Sequence, residues 1–152
     1  EERLKNTGNR PIHTQHYYHN VLCFDADPIG HALSLSLPWN PIIHRITSNH
    51  GAFDGRVLRL FQETLGGTFY ATIGGFSPES RENRLVVDGG CGSSLVIESD
   101  QSLEAFAIFA NQNAFCPEGF IRLEIPPGQE KKWITTYTII PAPKRPSGGS
   151  MP

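Results

Sequence analysis

The sequence predicts an all-β domain, a sandwich or barrel of about ten short strands. Fifteen glycines and twelve prolines are spread through 152 residues and cut the chain into short segments. Between these breaks, apolar residues alternate with period two or run on for about five to eight positions, both signatures of strands. Only residues 55–65, with Val57, Leu58, Leu60, Phe61 and Leu65, fit an amphipathic helix as well as they fit a strand. Many short strands with almost no helix leave few architectures other than these two.

In order along the chain, strands are expected at about 16–24, 31–37, 42–47, 56–62, 68–75, 84–88, 93–99, 103–110, 119–125 and 131–140. The last is the clearest. Trp133, Thr135, Tyr137 and Ile139 share one face, and Ile134, Thr136, Thr138 and Ile140 share the other. Turn chemistry separates the segments, most plainly at Asn6-Thr7-Gly8-Asn9, Asp54-Gly55, Asp88-Gly89-Gly90 and Pro126-Pro127-Gly128. Residues 1–140 form the expected domain. The Pro-, Gly- and Ser-rich stretch 141–152 cannot build a core and is expected to be a flexible tail. Residues 1–5 read as the end of a strand running into a turn. They suggest a sandwich whose N-terminal edge is completed by a second copy or by another chain.

Length and composition exclude several classes. A chain of this size can bury roughly 68–70% of its unfolded surface, so it needs no disulfide or metal to fold. The net charge of −2, with no cluster of basic residues, argues against a nucleic-acid surface. No apolar run approaches the roughly 20 residues of a membrane-spanning helix. Cys23, Cys91 and Cys116 are an odd number without a Cys-x-x-Cys pair. Cys23 and Cys116 stand among apolar residues, as buried free thiols do, which points to the cytoplasm and leaves secretion open.

Two stretches can carry chemistry. In the first, His13-Thr14-Gln15-His16-Tyr17-Tyr18-His19-Asn20, strand alternation turns His16 away from His13 and His19. His13 and His19 share a face but lie about 20 Å apart on an extended strand, so no metal or cofactor is expected; only a bend in the strand would let the histidine cluster serve a small metal-dependent β-barrel enzyme. His16, Tyr18, Asn20, Leu22 and Phe24 form the opposite row, either half-buried strand residues or the lining of a cleft. In the second, Asn113-Ala114-Phe115-Cys116-Pro117-Glu118-Gly119-Phe120, a carboxylate stands among apolar groups. Buried, Glu118 would become a stronger base; beside a turn it would point to solvent, the usual place for a glutamate.

Lys5-Asn6-Thr7-Gly8-Asn9-Arg10-Pro11-Ile12 followed by His16-Tyr17-Tyr18-His19-Asn20 resembles the "N-T-G-x-x-P … H-x-Y-F-N" stretch of the aldose 1-epimerase, or galactose mutarotase-like, family. Cys116-Pro117-Glu118 is similar to that family's Cys-x-Glu, and Pro127-Gly128-Gln129-Glu130 with Trp133 and Tyr137 to its closing strand. Across residues 4–140 these motifs keep their order and spacing. The resemblance implies an antiparallel β-sandwich, part of a larger supersandwich, that binds a sugar in a cleft across one sheet. It implies Glu118 as the base at the anomeric hydroxyl and His16 as the acid at the ring oxygen, facing one cleft within about 8 Å. Tyr18, His19, Asn20 and Trp39 would bind the sugar, with Trp39, Tyr18 and Trp133 as candidates to stack on its face and Trp133 fitting a core aromatic better. His19 occupies the family's phenylalanine position, so the histidine role falls to either His16 or His19. The family's further histidine and arginine come from an N-terminal half outside this sequence, so a partner or longer chain would supply them. A non-catalytic carbohydrate-binding module or accessory domain is the alternative.

Overall fold

The computed structural model describes residues 1–23, 33–61, 67–90 and 92–142. The fold is all-β and antiparallel. Among the described residues there are thirteen strands and one short 3-10 turn, Ser80–Glu82. The strands are β1 (Glu2–Lys5), β2 (Ile12–Tyr17), β3 (Ser34–Ser36), β4 (Ile42–Ile46), β5 (Gly51–Asp54), β6 (Val57–Leu60) and β7 (Phe69–Gly74). They continue with β8 (Arg84–Asp88), β9 (Ser94–Ser99), β10 (Ala105–Asn111), β11 (Ala114–Ile125), β12 (Glu130–Trp133) and β13 (Thr135–Ile140).

Two sheets pack as a sandwich. One has five strands in the order β2-β11-β10-β7-β4, the other six in the order β13-β9-β8-β3-β6-β5. Alternation sends Phe69, Ala71, Ile73, Phe106, Ile108, Ala110 and Phe115 inward from the first. Leu35, Leu58, Leu60, Leu85, Val87 and Ile97 come inward from the second, and all thirteen join one buried cluster. Burial of each large side chain contributes about 1.5–3 kcal/mol. A ribbon of β1 and β12 closes one margin, covering a smaller cluster of Ile121, Leu123 and Trp133.

Several turns form as their residues dictate. Gln129 N–H donates to Pro126 O at 3.1 Å with Gly128 at φ 77°, so Pro127 and Gly128 occupy the two central positions of a type II turn. Gly55 and Arg56 form a two-residue hairpin loop between paired Asp54 and Val57, and Gly55 takes φ 57°.

The structure corrects some expected elements. The strand expected at 16–24 forms instead at Ile12–Tyr17; past Tyr17, among the described residues, only Leu22 bridges, to Phe115, and Phe24 lies outside the described residues. Of the helix candidate 55–65, residues 57–60 are strand β6, and 62–65 lie outside the described residues. The long final strand is two: Ile134 N–H donates to Asp100 Oδ1 at 3.0 Å while Asp100 N–H donates to Ile134 O at 3.1 Å. This clasp passes the chain from the β1–β12 ribbon to the six-stranded sheet. Residues 1–5 find their partner within the chain, Glu2 pairing Trp133 through to Lys5 pairing Glu130. Cys23 is exposed rather than buried, Cys116 is buried, and Cys91 and residues 143–152 of the expected tail lie outside the described residues. Among the described residues no helix is long and apolar enough to cross a membrane.

Candidate functional site

Strand register decides which expected site residues meet. On β11 the odd positions Phe115, Pro117, Gly119, Ile121 and Leu123 point into the sandwich, and the even positions Cys116, Glu118, Phe120 and Arg122 point outward. His16 pairs with Ile121 and Tyr17 with Phe120. His16 is therefore inside and Glu118 outside, on opposite faces of one sheet. The expected Glu118–His16 cleft is not formed.

The histidine that meets Glu118 is His19. The chain leaves β2 after Tyr17, and His19 Nδ1 comes to 2.5 Å from Glu118 Oε1. Glu118 is only 7% exposed although it lies on the outward face, whereas the His19 side chain is 56% exposed. Burial pushes the Glu118 carboxyl above its ordinary range, and the His19 ring opposes that shift through charge and hydrogen bonding. Cys116, two residues away on the same face, has its thiol pushed up by burial and then by the Glu118 charge.

His16, Tyr18 and Asn20 do form one row, but it lines the interior. His16 packs edge-on against Tyr18 and tilted against Trp133, both at 5.0 Å between ring centres. Its Nε2 lies 3.3 Å from Glu2 Oε2 without hydrogen-bond geometry. Asn20 donates from Nδ2 to Pro117 O at 2.9 Å and accepts at Oδ1 from Tyr137 Oη–H at 2.7 Å, tying the two sheets together. The cavity these side chains share with Asn83 and Thr135 has a volume of about 20 Å³, room for one water and none for a sugar. Trp39, expected to stack on a sugar, is 3% exposed and packs edge-on against Phe76 and Phe106 in the core. Asn20 thus ties the two sheets and Trp39 packs in the core, while Tyr18 stands half-buried beside His16.

The open face of the five-stranded sheet holds a groove of about 350 Å³, within the usual size range of small-ligand sites. Its floor is made by small side chains, Gly74, Ala105 and Ala107, with Thr72 beside them. Three cross-strand rows order the face. Tyr17 pairs with Phe120 and Phe120 with Ala105; Glu118 with Ala107, Ala107 with Thr72 and Thr72 with Arg45; Cys116 with Phe109 and Phe109 with Tyr70. Glu118 is therefore the cross-strand neighbour of Ala107 in the groove floor, while Glu118 and His19 themselves stand outside the groove lining. Tyr17 stacks on Phe120 with ring centres 4.3 Å apart, and Arg45 lies over Tyr70 at 6.0 Å. At the far side, register shifts between Ile43 and Arg45, and His44 occupies the irregularity. Its ring lies where a side chain on Gly74 would sit, so the bulge aims an imidazole into the groove.

His44, Tyr70 and Thr72 are groove residues that the sequence does not single out, and Gln15 is a fourth, lying within the histidine-rich stretch but given no role there. Alternation in Phe69-Tyr70-Ala71-Thr72-Ile73 could have found Tyr70 and Thr72, because the three apolar residues claim the inner face. A bulge has no such mark, and nothing flags His44. Among the described residues no three His, Cys, Asp or Glu side chains gather as a metal site would need. No family model, curated protein or solved structure matches this chain.

Proposed function

We propose that the protein acts on sugars as an aldose 1-epimerase-like isomerase, with the sugar on the open face of the five-stranded sheet and Glu118 and His19 as its acid–base pair. The observation that carries this reading is the buried carboxyl of Glu118 in contact with an exposed imidazole, with Glu118 the cross-strand neighbour of Ala107 in the floor of a groove of ligand size. A carboxyl held above its ordinary range by burial is a stronger base than a solvated one. The anomeric hydroxyl and the ring oxygen are bonded to the same carbon, so an acid and a base in contact reach both. The base takes the hydroxyl proton, the acid protonates the ring oxygen, and the bond from C1 to the ring oxygen breaks. Rotation about C1–C2 and the reverse proton movements close the other anomer.

Polarimetry on freshly dissolved α-glucose and α-galactose tests this. Mutarotation faster than in buffer, abolished by Glu118→Gln and strongly reduced by His19→Ala, is the expected result. Unchanged rates in Glu118→Gln remove that residue from the mechanism. A second reading, a non-catalytic carbohydrate-binding domain, is favoured by the aromatic pair Tyr17–Phe120 on the groove and by the burial of the motif's other histidine, His16, inside the sandwich. Sugar binding in calorimetry without any acceleration would select it.

A further inference from the structure

The shape of the groove bears on the size of what it holds. Its lining comes from all five strands, with Gln15 on β2, Phe120 on β11, Ala105 and Ala107 on β10, Tyr70 on β7 and His44 on β4. Four strand spacings make it about 19 Å wide across the sheet. A pyranose ring is about as wide as one strand spacing, roughly 5 Å. One hexose would leave most of this surface uncovered.

Two aromatic platforms sit at separate places on this face. One is the Tyr17–Phe120 stack. The other is Tyr70, with the Arg45 guanidinium over its ring. Phe120 pairs with Ala105 and Tyr70 with Phe109, so the platforms differ by two strands and four residues. That places their backbones about 16 Å apart, too far for one sugar ring to touch both. The floor between them is Ala105, Ala107, Thr72 and Gly74, which lets a flat ligand lie against the sheet. Glu118 and His19 belong to the first platform, because Glu118 is two residues from Phe120 on the same outward face.

We infer that the groove takes an oligosaccharide of two or three units, its reducing-end ring beside Glu118 and His19 and its remaining units running toward Tyr70, Arg45 and His44. This rests on the proposed function and specifies its substrate class. The distal platform contributes affinity for the extra units, and the acid–base pair meets only the terminal ring.

Calorimetric titration of the purified chain with glucose, galactose, maltose, lactose, maltotriose and cellotriose tests the inference. The expected result is a Kd at least tenfold lower for one of the trisaccharides than for its monosaccharide. Tyr70→Ala should shrink that ratio at least fivefold, and Tyr70→Phe, which keeps the ring, should restore it. Melting temperatures of both variants within a few degrees of wild type exclude misfolding as the cause. Equal affinity for monosaccharide and trisaccharide overturns the inference and leaves the proposed function standing. A ratio that Tyr70→Ala does not change overturns the distal platform. No binding of any sugar, with no mutarotation, overturns the proposed function and this inference together.

Discussion

Replacing Asn6 with alanine should cost about 3 kcal/mol of stability, although the residue touches no part of the groove. Asn6 is 3% exposed. Its Nδ2 donates to Arg10 O at 2.7 Å and to Ile125 O at 2.8 Å, and its Oδ1 accepts from Gly8 N–H at 3.0 Å. These three bonds fold the Asn6–Arg10 turn on itself and fasten it to the end of β11. The backbone of Asn6 separately bonds Gln129 O and Gly128 N–H, and both bonds survive the substitution. Each lost bond is worth roughly 1 kcal/mol net, and the Ile125 carbonyl left buried without its donor adds to the loss. For a domain of this size, 3 kcal/mol lowers the melting temperature by about 6–12 °C. Urea titration followed by fluorescence of the buried Trp39 and Trp133 reads the change directly. Asn6→Asp is the control: its carboxylate still accepts from Gly8 but faces two carbonyl oxygens, so at neutral pH it should lose at least as much. A loss below about 1 kcal/mol in Asn6→Ala, or a neutral Asn6→Asp, would refute the brace and return Asn6 to an ordinary turn residue.

Ile108, fully buried between the sheets, should lose about 2–5 kcal/mol on Ile108→Ala, whereas Ile139→Ala at a 75% exposed edge position should stay within about 0.5 kcal/mol by the same urea titration. Glu118→Gln should stabilise the protein, and more so at higher pH. The folded Glu118 carboxyl lies above its unfolded value because of burial, so its contribution to stability is fully present below about pH 4.5 and is lost as pH rises through the raised folded value. The gap in melting temperature between Glu118→Gln and wild type should therefore be wider at pH 8 than at pH 4; an equal gap at both would contradict the burial.

Much of the architecture was legible because two-residue alternation and turn chemistry are local. Residues 84–88 form β8 as expected, and the Pro126–Gln129 and Asp54–Gly55 turns form where their residues require them. What alternation does not carry is the choice of partner. The stretch from Lys131 to Ile140 keeps one unbroken pattern, yet it serves two sheets, because the switch at Ile134 depends on Asp100, far away in sequence. The start of β11 was missed because Pro117 reads as a breaker. Phe115 exchanges both backbone bonds with Leu22, and Pro117 O accepts from Asn20, so the polar groups of these alternate residues point away from β10. The absent Pro117 N–H therefore falls on that side and costs the β10 ladder nothing, as proline requires inside a strand. The row His16, Tyr18, Asn20 keeps to one face, as alternation requires. Its placement inside the sandwich depends on the pairing of His16 with Ile121, which no local pattern states.

Glu118 is the point where this sequence departs from what stability alone would choose. An outward position on β11, opposite Ala107 and between Cys116 and Phe120, would suit an apolar residue once it is covered to 7% exposure. Alanine at 107 and cysteine at 116, both buried on that outward face, already follow this rule. A carboxyl there carries a desolvation cost that His19 offsets only in part, since the net shift is still upward. Here the acid is buried and its imidazole is mostly exposed, so the two partners meet in unequal surroundings. Such an arrangement lowers stability in the free protein, and under the proposed function a bound sugar's hydroxyl groups would return part of it. If Glu118 is retained for chemistry, Glu118→Gln must gain in melting temperature at neutral pH and lose mutarotation in the same preparation. A variant that gains stability and keeps its activity would mean that the buried carboxyl serves neither purpose.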